Sequence, residues 1–362
     1  MTDDFSRSAV NSLKFTHNNS KEKKKGSVFL KKKGQTIFLD TKPKIISTAA
    51  IVGNKEGEGP IAHCFDKVVK DSLWGEESWE KAESKFLEET AKTAIKKANL
   101  VPNDIDFMYG GDLLNQCISA NYAARTLGIP FFGLYGACST MSLSMLLSSI
   151  AVSSGYAKTC AAITSSHFCS AEKQFRFPLE YGGQRTPTAQ WTVTGSGYAI
   201  ISSDGEGPQI REMTAGKVTD FGITDLNNMG AAMAPAACDT LCAHFNDTGK
   251  TPDDYDLILT GDLGQVGKDI LEELMKNNGF DIRKNHNDCG LMIFDNDTQD
   301  THAGGSGCGC SASVFCGYIA PLLKQKRLKN VLFMATGALM SPTSVQQGES
   351  IPGIAHALAI YS

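Results

Sequence analysis

The chain has 362 residues, of which 41% are hydrophobic and 20% charged, and its formal net charge at pH 7 is −4. This length is enough for two ordinary domains with a sizeable core, and the composition is that of a globular protein. The acidic balance excludes a general electrostatic case for nucleic-acid binding. Eleven cysteines without paired Cys-x2-Cys spacing argue against a structural zinc site. We therefore expect reduced thiols in a cytosol-like compartment.

Residues 1–34 form a basic segment that we predict to be a flexible arm. The first 44 residues hold eleven Lys or Arg and four Asp or Glu. One interpretation is an arm that contacts anionic lipid headgroups, and the other is a solvated tail. The most apolar window, Leu143 to Val152, is interrupted by serines and too short to span a bilayer. We expect neither a signal peptide nor a transmembrane segment.

Ordered structure is predicted to begin at residue 35. Strands are predicted at Gln35–Leu39 and Lys44–Val52, because both runs are apolar and rich in β-branched residues. Trp79–Ala98 is predicted to be an amphipathic helix, since its apolar residues share one face at helical spacing. Alternating strands and helices favour an α/β fold with parallel strands covered by helices.

An internal repeat divides the chain into two halves. The segment 104–113 resembles 254–263 at an offset of 150 residues, and Cys138-Ser-Thr resembles Cys310-Ser-Ala at an offset of 172. The larger offset implies extra residues in the second half, which we assign to the polar run 295–301. We predict a duplication, with an N-terminal half at 35–205, a C-terminal half at 206–362, and a ligand pocket between them.

The segment around Cys138 predicts a strand-to-helix elbow. A buried strand of 5–6 residues, placed at Ile129–Leu134, is followed by the small turn Gly136-Ala-Cys-Ser-Thr140 and then by a long apolar helix. A thiol at a helix N-terminus tends to have a lowered pKa, and the same amides can hold a carboxylate. The alternative is that Cys138 is a small buried hydrophobe.

Asp112 and Asp262 occupy equivalent positions in the repeat. Both are predicted to have a structural role, the capping of a helix.

These residues resemble the thiolase superfamily, in which duplicated halves build a five-layered αβαβα sandwich. The elbow at Cys138 resembles the nucleophile elbow of that superfamily, and Gly304–Ser311 is similar to the glycine-rich start of the matching helix. The catalytic partners do not match. His286 is followed by an apolar, strand-like run at 290–294, and His302 lacks the neighbouring Gly and Pro of the family loop. The resemblance implies the thiolase-like fold and leaves catalysis by Cys138 in doubt.

Nearly the whole chain resembles the stage V sporulation protein AD family. The resemblance rests on blocks that include Gly110–Gln116, Gln174–Pro178, Met233–Ala237 and His286–Gly290. It implies a non-enzymatic protein that binds dipicolinic acid (pyridine-2,6-dicarboxylate), for uptake into the forespore and release at germination. It also implies other stage V A proteins as partners, peripheral contact with the inner spore membrane, and a homodimer through Ile129–Leu134. The competing hypothesis is an acyltransferase that uses Cys138.

A planar dianion requires donors and cations around an apolar slot, and eight residues are candidates for its site. Helix N-terminal amides and side-chain donors are supplied by Asn115, Cys138, Ser139, His167, Arg176, His286, Ser306 and Gly307. For Arg176 the alternative is a surface salt bridge, and for the histidines a structural role. Calcium accompanies dipicolinate in spores, but 295–300 lacks the glycine and closing glutamate of an EF-hand loop. No cofactor and no metal site is predicted.

Overall fold

A computed structural model describes residues 31–175 and 185–362. Arg176 therefore lies outside the described residues, and its predicted role stays a prediction. The described residues form strands at Lys31–Lys33 (β1), Thr36–Phe38 (β2), Lys44–Gly53 (β3), Lys67–Val69 (β4), Phe107–Gly111 (β5), Phe131–Gly133 (β6), Thr159–Ser166 (β7), Trp191–Thr192 (β8), Gly195–Ser202 (β9), Gln209–Thr214 (β10), Leu257–Thr260 (β11), His286–Asp288 (β12), Gly305–Ser306 (β13), Asn330–Ala338 (β14) and Gly353–Tyr361 (β15).

The helices alternate with these strands. They lie at Trp79–Lys97 (α1), Ile118–Leu127 (α2), Thr140–Ser153 (α3), Phe168–Phe175 (α4), Met229–Thr248 (α5), Gly264–Asn277 (α6), Cys289–Ile293 (α7), Cys308–Val314 (α8), Ala320–Lys324 (α9) and Pro342–Gln346 (α10). A π-helical turn, Phe315–Ile319, joins α8 to α9. Ser78 caps α1 by accepting a hydrogen bond from the Lys81 amide. The helix therefore begins at Trp79, as predicted.

Ten strands form two sheets of equivalent order. The first runs β6-β5-β7-β9-β3 and the second β12-β11-β14-β15-β10, and the pair Gln209↔Lys44 joins them edge to edge. In each sheet the first three strands are parallel, and the last two run antiparallel to their neighbours. The matching order confirms the predicted duplication.

The helices cover these sheets in layers. Helices α1 and α2 pack on the outer face of the first sheet, and α5 and α6 on the outer face of the second. Helices α3 and α8 lie between the sheets, where α3 contacts both β7 and β14. The result is the predicted five-layered αβαβα sandwich. The predicted boundary at 205/206 lies in the loop between β9 and β10.

Three local predictions were wrong. Residues 31–33 are not part of a flexible arm, because β1 pairs with β2 in a hairpin whose turn contains Gly34 at a φ of +55°. The strand before the elbow is three residues long and not buried, because β6 is the edge of its sheet and Phe132 is 48% exposed. Residues 289–293 are the helix α7 and not a strand, since Asp288 caps that turn. No helix in the described ranges is long and apolar enough to cross a membrane.

Candidate functional site

The elbow at Cys138 is built on a strained turn. Ala137 has a φ of +49°, an uncommon backbone conformation for a residue with a side chain. A short 3-10 turn, Ala137–Ser139, leads directly into α3. The turn lies against β14, where a Cβ on Gly337 would come within 2.8 Å of the Gly136 carbonyl oxygen. A glycine at 337 is therefore required for this close approach of the second half to the elbow.

The Cys138 thiol is not activated by its position. Burial raises its pKa well above the usual value, and the charge of the neighbouring Asp262 carboxyl adds to the effect. The thiol also donates a hydrogen bond to Asp262, which favours the protonated form. The predicted lowering of the Cys138 pKa was wrong, because burial of the thiol, together with the Asp262 carboxyl from the other half, outweighs the effect of the helix N-terminus.

The N-terminus of α8, from the second half, lies next to the elbow at Cys138. Gly307, the N-cap of α8, donates its amide hydrogen to Asp262 Oδ2 at 2.9 Å, and Thr336 donates to Oδ1 at 2.9 Å. Burial raises the pKa of Asp262 to about 7. Cys308 donates its thiol hydrogen to the Ala137 carbonyl at 2.9 Å, so the two helix starts are bonded to each other.

A cavity of about 240 Å³ lies at this junction, between the two halves. Its walls are mostly apolar and include Phe175, with a minority of polar groups, as is typical of small-molecule sites. The lining residues are Leu113, Tyr135, Ala137, Cys138, Ala171, Glu172, Phe175, Thr192, Met229, Ser306, Gly307, Ala338, Leu339 and Met340. Among these described residues no Lys, Arg, His or Asn lines the cavity.

The polar groups of the cavity differ in whether they are already bonded. Thr192 donates to Glu172 Oε1 at 3.2 Å, and the Tyr135 hydroxyl donates to the Leu113 carbonyl at 3.3 Å. Ser306 lines the cavity, and no hydrogen bond of its hydroxyl is found among the described residues. Ser306 is therefore the donor with most freedom to bind a ligand.

The structure brings three of the eight predicted site residues to the cavity: Cys138, Ser306 and Gly307. The Gly307 amide is occupied by Asp262, so this amide is not free for a ligand carboxylate as predicted. Ser139 does not face the cavity, because its amide and hydroxyl both donate to the Gly136 carbonyl. Asn115 is exposed beside the cavity, where its side-chain oxygen lies 3.4 Å from the Tyr135 hydroxyl.

Both predicted histidines lie elsewhere. His167 is buried, with Nε2 donating to the Ser72 carbonyl at 2.8 Å and Nδ1 accepting from the Cys169 amide at 3.2 Å. Burial lowers the pKa of His167, consistent with a neutral structural side chain. His286 contacts Glu272 and Thr260, at 3.0 and 3.1 Å. Placing either histidine in the site was wrong.

Sequence reasoning missed Asp262, which lies beside the thiol. Its equivalent, Asp112, does cap the next helix as predicted, accepting from the Leu114 and Ala120 amides at 2.8 and 2.7 Å. Asp262 does not cap the next helix, α6, because Asp288 accepts from the amides at the start of that helix, and Asp262 instead bonds the start of α8. The repeat located both aspartates but could not show that they had diverged. No group of three or more His, Cys, Asp or Glu in the described ranges is arranged to hold a metal ion.

Comparison with known proteins identifies the family and the fold. The sequence model of the stage V sporulation protein AD family matches residues 33–361. The chain is 47% identical over 328 residues to stage V sporulation protein AD of Bacillus subtilis (strain 168), an alignment that covers 90% of this chain and 97% of the relative.

Solved structures with a similar fold include OleA and a 3-oxoacyl-(acyl-carrier-protein) synthase III. A variant of Xanthomonas campestris OleA has a TM-score of 0.60 at 11% identity, covering 92% of this chain and 100% of its own. The 3-oxoacyl-(acyl-carrier-protein) synthase III of Aquifex aeolicus VF5 has a TM-score of 0.53 at 13% identity, covering 88% and 100%. At this identity the likeness shows the thiolase-like fold alone. The chain therefore belongs to the stage V sporulation protein AD family of sporulation proteins.

Proposed function

We propose that this chain binds dipicolinic acid in the elbow cavity and thereby serves its uptake into the forespore and its release at germination. The observation that carries the proposal is the cavity itself, which is mostly apolar and whose described lining includes Ser306, a hydroxyl without a hydrogen bond to another described residue. Phe175 and Tyr135 supply aromatic surface for a pyridine ring, and Met229 and Met340 are suited to contact its edge. Membership of a sporulation family supports a spore solute as the ligand.

The positive charge for two carboxylates remains a separate prediction. No described lining residue is a cation. Arg176, which follows the lining residue Phe175 in the chain, was predicted from the sequence to pair with a carboxylate, and it keeps that proposed role. We assign no cofactor, and calcium enters the proposal only as an ion that the ligand brings with it.

Two serines predicted for the same site provide a matched test. Calorimetric titration with dipicolinate should show one-to-one binding to the unaltered chain. Ser306→Ala should weaken the affinity about fivefold to tenfold, because the cavity loses a hydrogen bond to a charged group. Ser139→Ala should leave the affinity unchanged, since Ser139 bonds only within its own turn. Absence of binding to the unaltered chain, or equal effects of the two variants, would exclude this placement of the ligand.

The chain is proposed not to be an enzyme, and one observation keeps an acyltransferase as the alternative. The Cys138 thiol lines the cavity, as a nucleophile would. Against this, its pKa is raised, and no described His or Asn lines the cavity to activate it. Intact-mass measurement after incubation with acyl-CoA separates the two. We expect no adduct on Cys138, and stoichiometric acylation would favour the enzyme.

The proposed partners follow from exposed surfaces and from the family. We propose a homodimer through the edge strand β6, because Phe132 is 48% exposed and stacks on Tyr109 with 4.9 Å between ring centroids. Sedimentation should show a dimer that Phe132→Asp converts to a monomer, whereas Phe221→Asp, on an exposed loop, should have no effect.

We also propose peripheral contact with the inner spore membrane, beside other stage V A proteins. Co-sedimentation of the chain with anionic vesicles, with and without residues 1–30, tests this contact.

A further inference from the structure

Three sulfur atoms meet at the packing interface of α5 and α6, on the opposite side of the second sheet from α3 and α8. Cys238 and Cys242 lie one turn apart on α5, and their Sγ atoms are 4.0 Å apart. Met275, near the end of α6, places its Sδ 3.8 Å from Cys242 Sγ. Met275 is fully buried, whereas Cys242 is partly exposed. The group is thus fixed by packing on one side and open to solvent on the other.

These spacings match those of a metal ion held by three sulfurs. With metal–sulfur bonds of about 2.3 Å, a trigonal arrangement requires about 4.0 Å between neighbouring sulfur atoms. The Cys238–Cys242 and Cys242–Met275 sulfur distances, 4.0 and 3.8 Å, meet this requirement for two of the three sulfur pairs. Thiolate and thioether ligands select soft ions, and zinc sites use Cys, His and carboxylates but not Met. The ligand set therefore favours copper(I).

The surroundings supply what such a site requires beyond its ligands. The Asn278 side-chain amide donates to Cys238 Sγ at 3.7 Å, a contact that stabilises a thiolate. Asp239 lies between the two cysteines in the chain, and its Oδ2 is buried without a hydrogen-bond partner among the described residues. A bound copper(I) ion would offset one of the two thiolate charges that form beside this carboxyl group.

We propose that Cys238, Cys242 and Met275 form a site for one copper(I) ion, remote from the dipicolinate cavity. On binding, two S–H bonds break and two copper–thiolate bonds form, while the Met275 thioether donates a lone pair. The two protons pass to solvent and no electron is transferred. The site then carries one net negative charge, close to the Asn278 donor.

The test is an anaerobic titration of the full chain with copper(I) held by a chromophoric chelator, read by the loss of the chelator's absorbance. The unaltered chain should take a first equivalent from the chelator. Cys242→Ser and Met275→Leu should each weaken this first equivalent at least tenfold, and Met275→Leu keeps the core volume. Cys64→Ser, which removes another partly exposed thiol, should have no effect and is the matched control.

X-ray absorption of the copper-loaded chain gives an independent measure. We expect three sulfur neighbours for the unaltered chain and two for Met275→Leu. The proposal is overturned if the double variant Cys238→Ser, Cys242→Ser still takes the first equivalent as tightly. It is also overturned if the sulfur count is the same with and without Met275. Unchanged dipicolinate titration of these variants would show that they remain folded.

Discussion

The two helix starts that meet at the cavity descend from one repeated unit but present different chemistry. Cys138 lines the cavity, whereas its equivalent at the offset of 172, Cys310, is fully buried and donates its thiol hydrogen to the Gly261 carbonyl at 3.5 Å. The amides of the second start are also occupied, since Gly307 donates to Asp262 and Gly309 to Ser166. The first half contributes the Cys138 thiol to the cavity wall, and the second half contributes Ser306 and Gly307.

Both halves bury carboxyl groups, and two pairs of them differ in their relation to the cavity: Glu83 with Asp112, and Asp262 with Asp288. In the first half Glu83 and Asp112 lie away from the cavity, where Glu83 accepts from Ser165 and Ser170 at 2.9 and 2.7 Å. In the second half, Asp262 and Asp288 lie at the helix starts, and Asp262 contacts the cavity thiol. Asp112 and Asp262 are equivalent in the repeat, and of these two only Asp262 contacts the Cys138 thiol, while Glu172 of the first half also lines the cavity. The first pair should govern stability and the second the ligand.

The largest expected effect is on stability, through Glu83. Burial, with the nearby charge of Asp112, raises the pKa of Glu83 to about 8. In the unfolded chain Glu83 ionises near its ordinary value, so the stability of the protonated form is lost as the pH rises toward 8. We expect the free energy of unfolding to fall by roughly 3 kcal/mol between pH 5 and pH 8 on account of this group.

Glu83→Gln should flatten that pH dependence in urea unfolding, because glutamine cannot ionise and still accepts from a serine. Its dipicolinate affinity should equal that of the unaltered chain at each pH. If the variant were as sensitive to pH as the unaltered chain, Glu83 would not be the group responsible. A change in ligand affinity would instead contradict the division between the two carboxyl pairs.

An intermediate effect is expected on ligand binding, through Asp262. With a pKa of about 7, this carboxyl is mostly neutral at pH 6 and mostly charged at pH 8. A dianion next to it should bind about tenfold more weakly at pH 8 than at pH 6, because the charges repel and the ligand favours the protonated form.

The variant Asp262→Asn should abolish this pH dependence in calorimetric titrations and bind at pH 8 as the unaltered chain does at pH 6. Asp112→Asn changes the equivalent residue of the other half and should leave the affinity and its pH dependence unchanged. Equal pH profiles for the unaltered chain and Asp262→Asn would separate this carboxyl from the ligand.

The sequence predicted the secondary structure and the duplication better than it predicted the side-chain contacts and pKa values of the site. Strand β3 and helix α1 followed from local periodicity, and the duplication followed from segments that match at offsets of 150 and 172 residues. The histidines failed for a physical reason, since a position at a strand end does not fix where the side chain points. His167 turns toward the Ser72 carbonyl. The predicted direction of the Cys138 pKa shift was wrong for a similar reason, because burial and a carboxyl from the distant half of the chain, Asp262, together raise this pKa.

The smallest expected effect is on the reactivity of the elbow thiol, which tests that last point directly. Iodoacetamide should modify Cys138 more slowly than a free thiol, since burial and Asp262 raise its pKa, and Cys310 should not react because it is fully buried. Asp262→Asn removes the negative charge and should speed alkylation of Cys138 by about threefold to tenfold at pH 8, as measured by peptide mass spectrometry. A helix N-terminus that governed the thiol would instead give fast alkylation in the unaltered chain and no gain in the variant. The rate ratio between these two proteins therefore decides whether the local helix start or the opposite half controls Cys138.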